Sequence, residues 1–154
     1  MSRRVVVRVP GSSKVEAGAG AVDRWLTASF TLDGTGAPLV ERGGTLRSLA
    51  TSDDADVLIA GFAAACTAAD VAMPDELHCR VVSEIPVGEG EGASAAAALA
   101  GVIGARALLA LPLGDAAAGQ IAAALDGSPQ QVRAAMDRHT CAVYPVCDDT
   151  PTAV

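Results

Sequence analysis

Apolar positions along this 154-residue chain recur with two different periods, and the switches between them mark its elements. Arg4 to Val9 is β-branched and weakly alternating, the pattern of a strand with one buried face. Pro10-Gly11 ends it, and Ser12-Ser13 through Gly20 reads as a loop of small residues. Trp25 to Leu32 predicts a second strand closed by an Asp33-Gly34 turn, and Leu39 to Arg42 a third that ends at Gly43-Gly44. The spacing then becomes helical. Ser52 offers an N-cap, and Asp53, Asp54 and Asp56 fill a first turn where carboxylates complement the helix dipole. Leu58, Phe62, Ala65 and Ala69 share one face of a helix that stops before Pro74.

Leu77 to Val82 predicts the next strand. It leads through Ile85-Pro86-Val87-Gly88-Glu89-Gly90-Glu91-Gly92-Ala93-Ser94 into a long small-residue helix that runs to about Leu111. Asp115 to Leu125 predicts a third helix ending at Gly127, and Ser128-Pro129 the cap and first turn of a fourth, running to about Arg138. Cys141 to Val146 is a short strand, and Asp148 onward a polar tail expected to be loose. With no internal repeat and no linker, residues 1–147 read as one α+β domain followed by a tail at 148–154.

Composition narrows the partners. Hydrophobic residues make up 51% of the chain and aromatic residues only 3%, so a core must be built from Ala, Val and Leu. A net charge of -7, a single lysine (Lys14) and arginines with no basic patch exclude nonspecific nucleic-acid binding. The apolar run Ala93 to Leu113 contains Arg106, two glycines and many alanines, which fits a buried helix rather than a membrane span. Cys66, Cys79, Cys141 and Cys147 form no CxxC pair, and only His78 and His139 could join them, so no zinc site is expected. Cys66 reads as a buried thiol and His139 as structural. No charged-then-apolar leader opens the sequence, which gives the expectation of a reduced, cytoplasmic protein.

The chemistry concentrates between Ile85 and Ser94. Glycine permits backbone conformations and close approaches that a Cβ blocks. A helix that follows such a loop turns its unpaired N–H groups and positive dipole end toward it, so a phosphate can rest on backbone donors. Glu84, Glu89 and Glu91 lie in or beside this loop. A carboxylate about 6 Å from a phosphate charge opposes it by roughly 3 kcal/mol at an effective dielectric near 20. A helix N-terminus returns about 1 kcal/mol, so Mg²⁺ or outward-turned side chains are needed to restore affinity.

The order of these parts resembles the N-terminal half of a GHMP kinase, homoserine kinases in particular. Val7-Arg8-Val9-Pro10-Gly11-Ser12-Ser13 resembles the family's opening strand and VPASS-type turn. Leu77 to Ala97 resembles its strand, IPxxxGLGSSA loop and helix, and Leu125-Asp126-Gly127-Ser128-Pro129 its LEGHPDN segment. The resemblance implies a ribosomal protein S5 domain 2-like α+β half-domain that binds ATP and Mg²⁺ and transfers the γ-phosphoryl group to a small alcohol, homoserine first among them. Pro86, Gly88, Gly90, Gly92, Ala93 and Ser94 would then hold ATP, with the Ser94 hydroxyl beside Mg²⁺. Ser12 and Ser13 would touch the acceptor, Lys14 and Asp23 would act near it, and Asp126 would be a second metal ligand. From residues alone, Ser12 and Ser13 are equally turn formers, Lys14 a solvated surface lysine, and Asp126 a helix-end acid.

Several positions depart from the family's pattern. Glu91 stands for a leucine, Ala93 for the first of two serines, and Ser128-Pro129-Gln130-Gln131 for HPDN. The asparagine of the opening segment has no counterpart near Lys14-Val15-Glu16, although Gly18-Ala19-Gly20 is similar to the GPG that follows it. The family's magnesium-binding glutamate falls near Ala124. A second half of comparable size is absent, which gives the expectation of a homo-oligomer or of a partner chain supplying it. The alternative to a kinase is a truncated, non-catalytic relative that binds a nucleotide or anion, or pairs with another subunit.

Overall fold

The computed structural model describes residues 2–15, 18–32, 39–44, 57–74, 76–85, 92–126 and 129–146. Strands β1 (Ser2–Val15), β2 (Gly18–Thr31) and β3 (Leu39–Gly44) come first. Helix α1 (Val57–Ala68), strand β4 (His78–Ser83) and helix α2 (Ala93–Leu108) follow. Helices α3 (Asp115–Asp126) and α4 (Pro129–Met136) and strand β5 (Thr140–Val146) complete the order. The sheet runs β3-β4-β2-β1-β5. Only β3 and β4 pair in parallel, and α1 lies between them in sequence, as a parallel connection requires. The outcome is an α+β sheet-and-helix domain, as the pattern predicted.

The expected loop from Ser12 to Gly20 is instead the far half of a long hairpin. Val5 pairs with Phe30 and Val9 with Leu26, the register shifts between Pro10 and Ser12, and pairing resumes to Val15 and Gly18. Ladder bonds use main-chain groups, which serine, glycine and alanine supply as well as valine does. Pro10, which has no N–H to give, sits where the ladder is interrupted. Lys14 and Asp23 therefore lie on strands rather than in a turn.

One face of the sheet buries Val5, Val7, Val9, Leu26, Ala28, Phe30, Cys79 and Val81 beneath the helices. The alternate positions Arg4, Arg8 and Arg80 are exposed on the other face. There Arg4 lies over Tyr144, and Trp25 is flanked by Arg8 at 4.6 Å and Arg138 at 5.4 Å from its ring centroid. On the inner face, Phe30 and Phe62 meet with centroids 5.6 Å apart. Cys66 is buried, and burial pushes its thiol above the ordinary range.

Helix α2 is buried on most of its circumference, from Ala95 and Ala96 through Ala98–Ala105 to Leu108. Its small residues allow this. A Cβ on Gly101 would lie 2.1 Å from Leu58 O, and one on Gly61 would lie 2.4 Å from Ala98 O, so α1 and α2 touch backbone to backbone. A Cβ on Gly104 would lie 2.3 Å from the Phe30 ring. Among the described residues, no helix is long and apolar enough to cross a membrane.

Helix α1 stops before Pro74 as expected, α2 and α4 end earlier than the pattern predicted, and each has a hydrogen-bonded end. Asp70 (φ 58°) closes α1, with Val71 N–H donating to Cys66 O and Asp70 N–H to Thr67 O. Ala110 (φ 53°) closes α2 with Leu111 N–H donating to Arg106 O, so the helix stops at Leu108 and not Leu111. For α4, which stops at Met136 and not Arg138, His139 Nδ1–H donates to Met136 O at 2.7 Å. The Ser52 cap, the acids from Asp53 to Asp56, the Asp33-Gly34 turn and the tail lie outside the described residues. Asp115 lies in the first turn of α3, where Arg106 bonds it at 2.8 Å and holds its carboxyl below the usual range.

The glycine contacts predict a contrast in urea denaturation. Gly101→Ala lowers stability by about 2–3 kcal/mol, because an added methyl must push the α1 and α2 backbones away from each other. Gly119→Ala in α3, where a Cβ meets nothing within 4 Å, raises stability by up to about 1 kcal/mol.

Candidate functional site

The site is built where β4 hands the chain to α2. Ile85 is fully buried, and its N–H donates to Ser83 Oγ at 3.0 Å, which fixes the exit from the strand. Glu84 donates its N–H to Trp25 O at 2.9 Å, while its carboxylate accepts from Trp25 N–H at 3.0 Å. This acid is thus turned to β2. Pro86, Gly88, Glu89, Gly90 and Glu91 lie outside the described residues.

The far end of the loop is Gly92, whose φ of 78° is the left-handed conformation that favours glycine. A Cβ there would fall 2.7 Å from Ser12 Oγ, 3.3 Å from Ser12 N and 3.2 Å from Gln131 Nε2. Three distant segments therefore meet at this residue: the β1 bulge, the start of α2 and the first turn of α4. Ser12 is 1% exposed and Gln131 4% exposed, and Gln131 Nε2–H donates to Ser12 O at 2.8 Å. Among the described residues, Ser12 Oγ is buried with no hydrogen-bond partner. Buried hydroxyls are ordinarily satisfied, and one left single marks a place where a further partner fits.

The first bond within α2 runs from Ala96 N–H to Gly92 O at 2.9 Å. The N–H groups of Ala93, Ser94 and Ala95 consequently have no acceptor within the helix, and Gly92 at the N-cap has no side chain to cap them. No acid occupies the first turn. Ser94 is exposed and Ala93 half-buried. Free donors, the positive end of a 16-residue helix and a single hydroxyl together suit a phosphate oxygen.

The predicted residues divide accordingly. Ser12, Gly92, Ala93 and Ser94 are brought together here. Ser13, Lys14 and Asp23 lie along the hairpin strands, where Ser13 pairs with Gly20 and Lys14 with Ala19, and their side chains are outside the described set. Asp126 is the last residue of α3, with its side chain likewise outside that set. His139 serves the end of α4, and His78 Nε2 lies 2.5 Å from Glu41 Oε2 on the edge strand. Among the described residues, no three acids, histidines or cysteines gather as metal ligands. Gln131 is the residue that sequence reasoning passed over. The usable signal was its place four residues before Ala135, on the buried stripe of α4.

Comparison with known proteins identifies the family. The model of the GHMP kinases N-terminal domain matches residues 58–144, more than half of the chain. A homoserine kinase of Corynebacterium jeikeium is 34% identical over 120 residues, which are 77% of this chain and 34% of that protein. A structure from Listeria monocytogenes described as a homoserine kinase superposes with a TM-score of 0.63 at 26% identity, covering 83% of this chain and 45% of that one. The homoserine kinase of Cytophaga hutchinsonii shares the fold, with a TM-score of 0.73 at 14% identity over 86% of this chain and 46% of that one. The chain thus spans about a third of the curated relative's length and under half of either solved one. A strand, glycine loop and helix in this order, carried on a fold that superposes on these kinases, place the chain in the GHMP kinase family as a form of its N-terminal domain.

Proposed function

We propose that the chain holds the phosphates of Mg·ATP at the start of α2 and passes the γ-phosphoryl group to a small alcohol, homoserine being the acceptor to test first. The observation that carries this reading is the buried Ser12 hydroxyl, unpartnered among the described residues, beside a helix start whose leading N–H groups lack acceptors within the helix. Family membership and the names of the relatives support it.

Phosphoryl transfer asks a protein chiefly for positioning and for charge stabilisation. The N–H groups of Ala93, Ser94 and Ala95 would receive phosphate oxygens, with Gly88, Gly90 and Gly92 letting the backbone approach. The exposed Ser94 hydroxyl and Asp126 would help hold Mg²⁺, which neutralises phosphate charge when bound. Ser12 would donate its hydroxyl to a phosphate oxygen and Ser13 would orient the acceptor, while Lys14 would offset the charge of the transferring group and Asp23 would draw the acceptor proton.

One observation favours a second reading, a nucleotide-binding relative without turnover. Gln131 stands where the family's motif has an asparagine, and its amide is committed to the Ser12 main chain. Calorimetry with ATP, with and without Mg²⁺, combined with an ADP-release assay, separates the two.

Under the kinase reading, ADP accumulates when Mg·ATP meets homoserine, and Ser94→Ala abolishes it. No turnover with any small alcohol rejects that reading. Under the binding reading, affinity exists without turnover, and Glu91→Leu strengthens it by about tenfold or more through lost repulsion. Ser12→Ala removes a hydroxyl that forms no bond among the described residues, so thermal stability stays within about 0.5 kcal/mol or rises, while Mg·ATP affinity falls several-fold, about 1 kcal/mol.

A further inference from the structure

We infer that Gln131 is a positioning residue for the anion site, tying the β1 bulge to the start of α2 so that Ser12 presents its hydroxyl, and not its carbonyl, to a bound phosphate. The inference rests on the phosphate-binding reading above.

The geometry assigns this role. Gln131 is the third residue of α4 and reaches out of that helix's first turn to Ser12 O at 2.8 Å. The same Nε2 lies against the face of Gly92, where a Cβ would come within 3.2 Å of it. The beginnings of α2 and α4 are therefore separated by no more than one glutamine side chain. Two positive helix ends then act on one spot, and the eight-residue α4 adds its share.

Ser12 follows the register shift in β1, where the backbone has left the regular ladder and needs another tie. Its carbonyl is an acceptor, and an acceptor aimed at a phosphate would repel it. The Gln131 amide occupies that carbonyl and leaves Ser12 Oγ as the group still able to donate. Both residues are buried, so a lost bond is not made up by bulk water. Nothing in this arrangement requires Gln131 to touch the phosphate itself.

The test uses the full chain and two substitutions. Gln131→Met keeps the length and removes the donor; Gln131→Glu keeps the shape and exchanges the donor for an acceptor. Calorimetry measures Mg·ATP affinity at pH 8 and pH 5, each variant against wild type at the same pH, with circular dichroism verifying that each is folded. Expected results are about tenfold weaker binding for Gln131→Met at both pH values, the scale of one buried hydrogen bond. Gln131→Glu is weaker still at pH 8, where its carboxylate faces Ser12 O. At pH 5 it returns to within about threefold of wild type, because a buried carboxyl next to a carbonyl takes a proton and can donate again. A residue that only packed would give no such recovery. Wild-type binding with Gln131→Met unchanged, or Gln131→Glu equally weak at both pH values, overturns the assignment alone. A wild type that binds no nucleotide at either pH overturns the phosphate reading and this role together.

Discussion

The contact on which this structure depends is backbone against backbone between α1 and α2. At Gly61 and Gly101 there is no room for a single methyl group, and at Gly104 the Phe30 ring fills the place of one. An interior at close-packed density cannot absorb such an intrusion without moving a whole element. Because α2 is pinned along its middle by these approaches, its first residue is placed without help from an N-terminal side-chain cap. The start of α2 has a glycine, and no capping side chain, at its N-cap. A helix held less firmly would need a serine or aspartate at its start, and that residue would consume the very donors an anion uses.

Much of the architecture was legible from residue patterns. Alternation in Val5, Val7 and Val9, and again in Cys79 and Val81, marks the buried face of the sheet, and the spacing of Leu58, Phe62 and Ala65 marks the inner face of α1. The hairpin beyond Ser12 was not legible, because its small residues carry no side-chain signature and its pairing is made by the main chain. The end of α2 was misplaced for a related reason. Its left-handed cap falls on Ala110, a residue type that does not announce that conformation as glycine would.

The candidate site divides along the same line. Glycine spacing in a strand-loop-helix context pointed to the segment that leads into α2, and the family model matches a stretch that includes it. The meeting of Ser12 with Gln131, 119 residues apart in the chain, follows from tertiary packing and has no local signature. Reading the Ser128-to-Gln131 segment as a set of lost residues hid what it does in this fold. In this fold Gln131 ties the first turn of α4 to the Ser12 main chain. Glu84 similarly counted as a threat to an anion when read in sequence, whereas its carboxylate is occupied by the Trp25 main chain.

Trp25 is the single tryptophan of the chain. Its ring lies between the guanidinium groups of Arg8 and Arg138, and its backbone is bonded in both directions to Glu84, the residue just before the glycine loop begins. Arg138 comes from the turn that follows α4, so the indole sits astride the connections to both helices that open onto the candidate site. The molecule consequently carries its own optical label. A displacement of the loop or of α4 changes the cationic environment of one fluorophore, and emission from the unlabelled protein reads out events at the other end of those connections.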